Sequence, residues 1–309
     1  MTRVTAPARL HFGLFSVPTP GGDPDARQYG GVGLMIESPR VDLLVSPAAS
    51  WSAQGPMSTR ALAFAQQFTA TLPPERQRPF RIKIAEVPEE HAGLGSGTAL
   101  ALAVSQAIAH EIGITLPTID LAQRVGRGLR SAVGIHGFEQ GGLIVEAGKR
   151  PGEPISPLSA RHEVPPSWRI VLVQPEMAAR WHGERERSAF SRVQHSNASE
   201  KMWRIVREEM LPALATQDPD PFGEAVHVFN ALAGAAFAQE QGGAYASPAI
   251  AAIIHTLREF GIQGVGQSSW GPTVFAIMGD EDQAAWLIKK VNAKASITRA
   301  AAYGAVQTA

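Results

Sequence analysis

The sequence predicts an α+β protein of two domains, and three observations carry that expectation. The first half alternates strand-like and helix-like stretches, the second half is mainly helical before it closes on short strands, and proline-rich residues 151–167 separate the two. A length of 309 residues suits two modest domains at about 150 residues each. We place the boundary so that residues 1–160 form the first domain and 161–309 the second.

Residues 2–17 and 30–46 read as β-rich, because Val4, Leu10, Phe12 and Leu14 alternate in part and Val41 to Val45 follow a Ser-Pro-Arg turn. Between them Pro18 to Gln28 is a Pro/Gly/Asp loop long enough for a lid or rim. A helix is expected over 56–71 and a strand over Phe80 to Ala85. After the glycines at 93–97, Leu100, Val104, Ile108 and Ile112 mark one helix, and Ile119, Ala122, Val125 and Leu129 a second. Gly113 and Pro117 punctuate them. Gly142 to Ala147 and Arg169 to Gln174 read as strands joined by the proline-rich stretch. Beyond lie expected helices at 184–216, 221–240 and 247–260, strands near 262–267 and 272–278, a helix at 281–292 and a strand near 294–302.

Composition narrows the function classes. Lys+Arg 28 balance Asp+Glu 28, so no global basic field gathers nucleic acid or anionic lipid, and neither is an expected partner. Hydrophobic residues at 44% against 18% charged describe a chain that buries a core rather than a disordered one. Cysteine is absent, which removes disulfides, thiolate metal sites and a cysteine nucleophile, and suits a reducing cytoplasm. The first residues lack the apolar stretch of a secretory signal. The uncharged run Ala92 to Ala109 contains three Gly with Ser, Thr and Gln, so it reads as a loop entering a buried helix rather than a membrane span.

That run opens on Gly93-Leu94-Gly95-Ser96-Gly97-Thr98, the strongest local signal in the chain. A helix N-terminus presents unpaired N–H groups and a partial positive charge, and glycines let backbone approach an anion closely. The stretch therefore reads as a phosphate cradle; the competing reading is a tight turn with Ser96 or Thr98 as the helix cap. It is neither a Walker A motif nor a dinucleotide fingerprint, since the Gly148-Lys149 pair is followed by Arg150.

Pro88 to Ala99 resembles the second motif of the GHMP kinase superfamily, Pro-x-x-x-Gly-Leu-Gly-Ser-Ser-Ala, with one extra residue after Pro88 and Gly97-Thr98 in place of Ser-Ala. Ala6-Pro7-Ala8-Arg9-Leu10-His11-Phe12-Gly13 is similar to the first motif, and Gly264 to Pro272 takes the place of the third. The variants Gly-Leu-Gly-Ser-Gly-Thr, Phe138-Glu139-Gln140-Gly141-Gly142 and Gly266-Gln267-Ser268-Ser269-Trp270-Gly271-Pro272 resemble one family within it, the β-ribofuranosylaminobenzene 5'-phosphate synthases. The resemblance implies an N-terminal domain like ribosomal protein S5 domain 2, a ferredoxin-like C-terminal domain and a cleft between them. It also implies a decarboxylating phosphoribosyl transfer of methanopterin biosynthesis. Phosphoribosyl pyrophosphate reacts with 4-aminobenzoate or 4-hydroxybenzoate, releasing pyrophosphate and CO2.

Many kinases of the superfamily carry a catalytic Asp seven residues before a Gly-Gly pair; counting back from Gly141, this chain has Gly134. A carboxylate that removes a hydroxyl proton is needed for phosphoryl transfer, whereas loss of CO2 restores aromaticity with no ring proton to remove. On the resemblance, Gly93, Leu94, Gly95, Ser96, Gly97 and Thr98 hold the donor, with Arg180 and His182 on a basic loop that closes over it. Arg9, His11, His136 and Glu139 are the candidate catalytic residues. Arg9 and His11 are to reach phosphates or the benzoate carboxylate, and His136 and Glu139 stand near the place of the kinase base. Gln267, Ser268, Ser269 and Trp270 are the candidate substrate contacts, the indole stacking on the aromatic acceptor.

The nine histidines show no zinc-ligand spacing. The expected cofactor is Mg²⁺ bridged by substrate, no metal site being built by the protein alone, and Glu139 is the carboxylate on offer. A homodimer is left open. Two alternatives stand beside the synthase: an ATP-dependent small-molecule kinase with an altered base, and a non-catalytic phosphate-metabolite binding protein.

Overall fold

A computed structural model describes residues 1–15, 23, 25–175 and 198–308 of the chain. The first sheet has seven strands. β1 (Thr2–Leu14) and the long β2 (Gly31–Pro47) pair antiparallel. β2 then serves two neighbours: its first residues pair β5 (Leu143–Glu146), and its last pair β4 (Phe80–Glu86). β3 (Ser52–Gln54) adds parallel to β4, and β6 (Leu158–His162) antiparallel to β5. The second sheet runs β10 (Lys294–Thr298), β7 (Arg169–Gln174), β9 (Val274–Met278), β8 (Gly264–Gln267), all antiparallel.

The boundary expected between residues 160 and 161 falls inside β6, and the last strand, β11 (Val306–Thr308), returns to pair with β1. The first sheet thus draws strands from both sides of it. The proline-rich connection holds β6, because only the residues outside Leu158–His162 are committed to turns.

One face of the first sheet packs Val4, Val41, Leu43 and Ile82 against α1 (Ser58–Ala70) and α2 (Ser96–Glu111). Further along β1, Ala8, Leu10 and Phe12 enter a second core. It also takes Phe222, Val226 and Phe229 of the helix Pro219–Ala235, and Phe275 and Ile277 of the second sheet. The opposite face of that sheet is closed by Ile250, Ile254 and Leu257 of the helix Pro248–Glu259 and by Leu287 of the helix Glu281–Lys290. The middle core is shared, so the halves bury apolar surface against each other and fix the cleft between them.

The helix expected through Leu129 ends earlier. α3 spans Thr118–Arg124, and Gly126 follows at φ 64°. The Gly126 N–H bonds the Gln123 carbonyl and the Arg127 N–H the Ala122 carbonyl at 2.8 Å, the paired bonds of a Schellman ending. Residues 126–132 become a loop, with Leu129 70% exposed rather than buried. α4 (Val133–Gln140), absent from the sequence reading, starts immediately after it. Of the helix expected at 184–216, the described part begins at Ala198 and continues through a π-helical stretch, Ile205–Met210, to Leu211–Ala215. Most of the loop from Pro18 lies outside the described residues, as do Arg180 and His182. No described helix is long and apolar enough to cross a membrane.

Candidate active site

The three motifs meet. The Arg9 N–H donates to the Leu94 carbonyl at 3.1 Å, the Ser269 N–H to the His11 carbonyl at 3.0 Å, and the His11 N–H to Ser268 Oγ at 3.0 Å. Ser268 Oγ in turn donates to the Gly93 carbonyl at 2.8 Å. Glycine is obligatory at this seam: a Cβ on Gly93 would stand 2.2 Å from the Ser268 carbonyl oxygen, and one on Gly271 2.2 Å from the Gly93 nitrogen. Gly95, at φ 71°, is the N-cap of α2, so no side chain occupies the place where its first N–H groups emerge.

A cleft of about 260 Å³ opens beside this seam. One wall comes from the first sheet and its connections: Arg9, His11, Thr98 and the loop Gly126 to Ser131, which carries Arg127 and Arg130. The other comes from the C-terminal half: Asn230, Phe237, Tyr245, Gln267, Ser269 and Trp270. Strand alternation turns Arg9 and His11 to the face opposite Leu10 and Phe12. A register shift between His11 and Gly13 then bends β1 at the rim.

The Arg9 side chain lies between two glycines. A Cβ on Gly95 would stand 2.7 Å from Arg9 Cγ, and one on Gly134 3.3 Å from Arg9 Cδ and 3.6 Å from Thr98 Cγ2. Residue 134, at the place of the kinase acid, therefore faces the cleft's cation with no side chain. Arg127 stacks over Phe64 at 4.7 Å, and its basicity is lowered first by burial and then by Arg60. Arg60 itself pairs with Glu90 and approaches Gly97, where a Cβ would stand 2.8 Å from its Nη2. Among the described residues the cleft lining carries no Asp or Glu, and its three partly buried arginines give that wall the charge and the planar forks that suit an anion.

Beneath the cationic wall lies the acid that sequence reasoning missed. Glu146, at the end of β5, is fully buried. Its Oε1 accepts from Ser131 Oγ at 2.6 Å and its Oε2 from the Ala132 N–H at 2.7 Å. Ser131 Oγ is also 3.0 Å from His11 Nε2. Burial raises the Glu146 carboxyl to about 7, against the opposing hydrogen bonds from Ser131, Ala132 and Ser156 and the charge of Arg9. His11, 5% exposed, is held well below the usual imidazole range by burial and then by Arg9. The available signal was a lone carboxylate in the apolar run Leu143-Ile144-Val145-Glu146; Arg127 and Arg130 were hidden by the expectation of a helix through 129.

Of the expected residues, Arg9, His11, Thr98, Gln267, Ser269 and Trp270 line the cleft. Gly93, Leu94, Gly95, Ser96 and Gly97 form the adjoining seam and helix start. Ser268 is buried and spent on the seam. The Gln267 side chain binds the Ala246 N–H and the Gly271 carbonyl, each at 2.9 Å, which makes it a brace rather than a free substrate contact. Trp270 packs edge-on against Phe237 at 4.7 Å.

His136 and Glu139 are not brought to the cleft. The His136 ring is buried and bonds the Ser156 carbonyl at 2.8 Å, while Glu139 is exposed near the end of α4. Successive helix positions rotate by about 100°, so nearness in sequence to Gly134 does not carry over to side-chain direction. Among the described residues no group of three or more His, Asp or Glu is arranged to hold a metal ion. With an arginine-lined cleft and Glu139 elsewhere, the described side chains do not fit a protein-built Mg²⁺ site.

Comparison with known proteins gives these features a context. Residues 59–142 match the family model for the GHMP kinases N-terminal domain, and 210–297 that for the GHMP kinases C-terminal region. The β-ribofuranosylphenol 5'-phosphate synthase of Archaeoglobus fulgidus is 30% identical over 292 residues, covering 90% of this chain and 88% of the relative. That of Methanothermobacter thermautotrophicus is 29% identical over 302 residues, covering 90% and 89%. Among solved structures, homoserine kinase from Cytophaga hutchinsonii superposes with a TM-score of 0.69 at 14% identity, covering 99% of this chain and 97% of that one, a likeness of fold.

Proposed function

The chain belongs to the β-ribofuranosylphenol 5'-phosphate synthase family, enzymes of the GHMP kinase superfamily that act on small molecules, and on that premise we propose its reaction. It transfers the ribosyl 5-phosphate unit of phosphoribosyl pyrophosphate to the carboxyl-bearing ring carbon of 4-hydroxybenzoate or 4-aminobenzoate, with release of pyrophosphate and CO2. The observation that carries this reading is the pairing of an arginine-lined cleft, with no Asp or Glu among its described lining residues, with a glycine at position 134. Where kinases of the superfamily place the carboxylate that takes the acceptor's proton, this chain has no side chain; a ribosyl transfer draws chiefly on charge that stabilises a departing polyanion.

The backbone N–H groups at the start of α2, with Arg9, Arg127 and Arg130, meet the phosphates of the donor. Arg9 lies nearest the seam and Arg127 and Arg130 on the loop of the same wall, so the anion meets its charge along one side of the cleft. The aromatic surface of Phe237, Tyr245 and Trp270 meets the benzoate ring and excludes water from the ribosyl carbon. Mg²⁺ would be carried by the donor's pyrophosphate, where it would supply charge neutralisation, and the described side chains offer it no site of their own.

The test is turnover of the purified protein with phosphoribosyl pyrophosphate, Mg²⁺ and each benzoate, following CO2 and pyrophosphate together. Stoichiometric release of both with either acceptor is expected. Acceptor-dependent ADP from ATP with homoserine, mevalonate or galactose, and no CO2, would establish the kinase instead. Donor binding with no turnover of either benzoate would leave a metabolite-binding protein.

A further inference from the structure

The cleft contains a hydrogen-bonded chain that phosphate binding does not explain. Three side chains from three separate elements are aligned: His11 on β1, Ser131 in the loop before α4, and Glu146 at the end of β5. His11 Nε2 stands 3.0 Å from Ser131 Oγ, and Ser131 Oγ donates to Glu146 Oε1 at 2.6 Å. His11 and Ser131 line the cleft, and Glu146 does not. The chain therefore runs from the substrate space into the core.

Its polarity follows from chemistry. An ionised carboxylate only accepts, so the Ser131 hydroxyl hydrogen points to Glu146. The Val133 N–H also reaches Ser131 Oγ, at 3.3 Å, and holds it in place. With its hydrogen committed, Ser131 Oγ accepts from His11, which puts a hydrogen on Nε2 and leaves Nδ1 as the basic atom. Protonation of Glu146 reverses every link: the acid donates to Ser131, Ser131 to Nε2, and Nδ1 carries the hydrogen. The second state holds one proton more, taken up at Nδ1 while each hydrogen shifts one link toward Glu146, and both states satisfy every member.

We propose that His11, Ser131 and Glu146 form a reversible proton relay that accepts the 4-hydroxyl proton of a phenolic acceptor during ribosyl transfer and returns it afterwards. The inference rests on the reaction proposed above. As the phenol proton moves to His11 Nδ1, the Nε2 hydrogen moves to Ser131 and the hydroxyl hydrogen to Glu146. The electron pair released on oxygen drives the carboxyl-bearing ring carbon onto the anomeric carbon, and the C–O bond to pyrophosphate breaks with its electron pair. The resulting cyclohexadienone loses CO2; the pair of the broken C–C bond restores the ring and leaves a phenolate. The proton then returns from Glu146 to that oxygen, and nothing is consumed.

The groups facing the relay suit it. Arg9, on β1 beside His11, disfavours a lasting imidazolium and favours the carboxylate. Lys149, just beyond β5, also feels Glu146, and Ser156 bonds it from the following loop. Arg127 and Arg130 share the cleft. Burial holds the Glu146 carboxyl at about 7, near the pH at which a relay can both take and give a proton. An amino acceptor donates its ring-activating lone pair without losing a proton, so the relay favours hydroxy over amino substrates.

The experiment compares Glu146→Gln and Ser131→Ala with the parent, using each benzoate, measuring kcat and donor KM across pH 5.5 to 9. Glu146→Gln keeps an oxygen for the Ala132 N–H, and Ser131→Thr is the conservative control that retains the hydroxyl. With 4-hydroxybenzoate, kcat at pH 8 should fall about 10²-fold or more, with donor KM changed less than about threefold. The hydroxy-to-amino ratio of kcat should fall in step, Ser131→Thr should restore it, and the acidic limb of the hydroxybenzoate profile near pH 7 should vanish in Glu146→Gln. Equal losses with both acceptors, a retained acidic limb, or a parent that turns over only the amino acceptor would overturn the relay. Absence of CO2 from the parent with both acceptors would instead defeat the reaction itself.

Discussion

The two walls of the cleft work by different means. The N-terminal wall is charge: three arginines and a helix start, with glycines at 93, 95, 126 and 128 at positive φ shaping the backbone around them. The described C-terminal wall is uncharged, and its two amide side chains are committed internally. Asn230 bonds the Phe12 carbonyl at 2.6 Å and the Gln267 carbonyl at 2.9 Å, Gln267 bonds back to Ala246 and Gly271, and Trp270 rests on Phe237. A wall whose amides are committed internally and whose rings face the cleft supplies mainly shape and apolar surface. One that gathers arginines beside a helix start supplies charge, so donor recognition should depend on the first wall and acceptor recognition on the second.

The sharpest break of that division is Gly95→Val. Its Cβ would sit 2.7 Å from Arg9 Cγ on a backbone at φ 71°, so it both strains the helix start and displaces the arginine. A misplacement of this kind is expected to lower kcat/KM for the donor by roughly 10²- to 10³-fold, with the circular dichroism of the fold retained. Normal donor affinity in the folded variant would remove the loop from the anion site.

Next comes the acid beneath the charged wall. Burial raises Glu146 from 4.5 to about 7, so between those values the folded protein holds a proton that the unfolded chain has released. The stability from this group is present below about 4.5 and is lost as pH rises through 7. Glu146→Gln should abolish that loss, so its stability relative to the parent should rise by on the order of 2–3 kcal/mol between pH 4.5 and 8. Urea midpoints at the two pH values check it. His11, depressed below 6.5, contributes with the opposite sign in both proteins, losing stability as pH falls, and largely cancels in the difference.

Arg127→Ala should follow, raising donor KM about 10- to 100-fold, the range of a hydrogen bond to a charged group, with acceptor KM little changed. Arg127→Lys should recover only part, because the planar fork over Phe64 is not reproduced. The smallest effect is expected of Trp270→Leu: acceptor KM rises roughly two- to tenfold, as for one aromatic contact, and donor KM stays put. A donor effect at Trp270 as large as that at Arg127 would collapse the distinction between the walls.

What the sequence determined by itself is local. Gly93 and Gly95 announce backbone that a Cβ would obstruct, and the apolar run after them announces a buried helix, because both signals depend on dihedral freedom and near neighbours in the chain. The glycine at 134 was legible only through the family resemblance, by counting from the Gly141-Gly142 pair to the place of the kinase acid. The tertiary structure alone decided which side chains meet. His11 and Ser131 are 120 residues apart in sequence, and Glu146 joins them because β2 pairs His11 opposite Gly33 and Glu146 opposite Gly31. A shift of one residue in either pairing would turn the inward side chains to the other face of the sheet. That register is set by the shared core of the two halves, where Leu10, Phe12, Leu34 and Leu143 pack against Phe222 and Phe275, and no stretch of the chain read alone contains it.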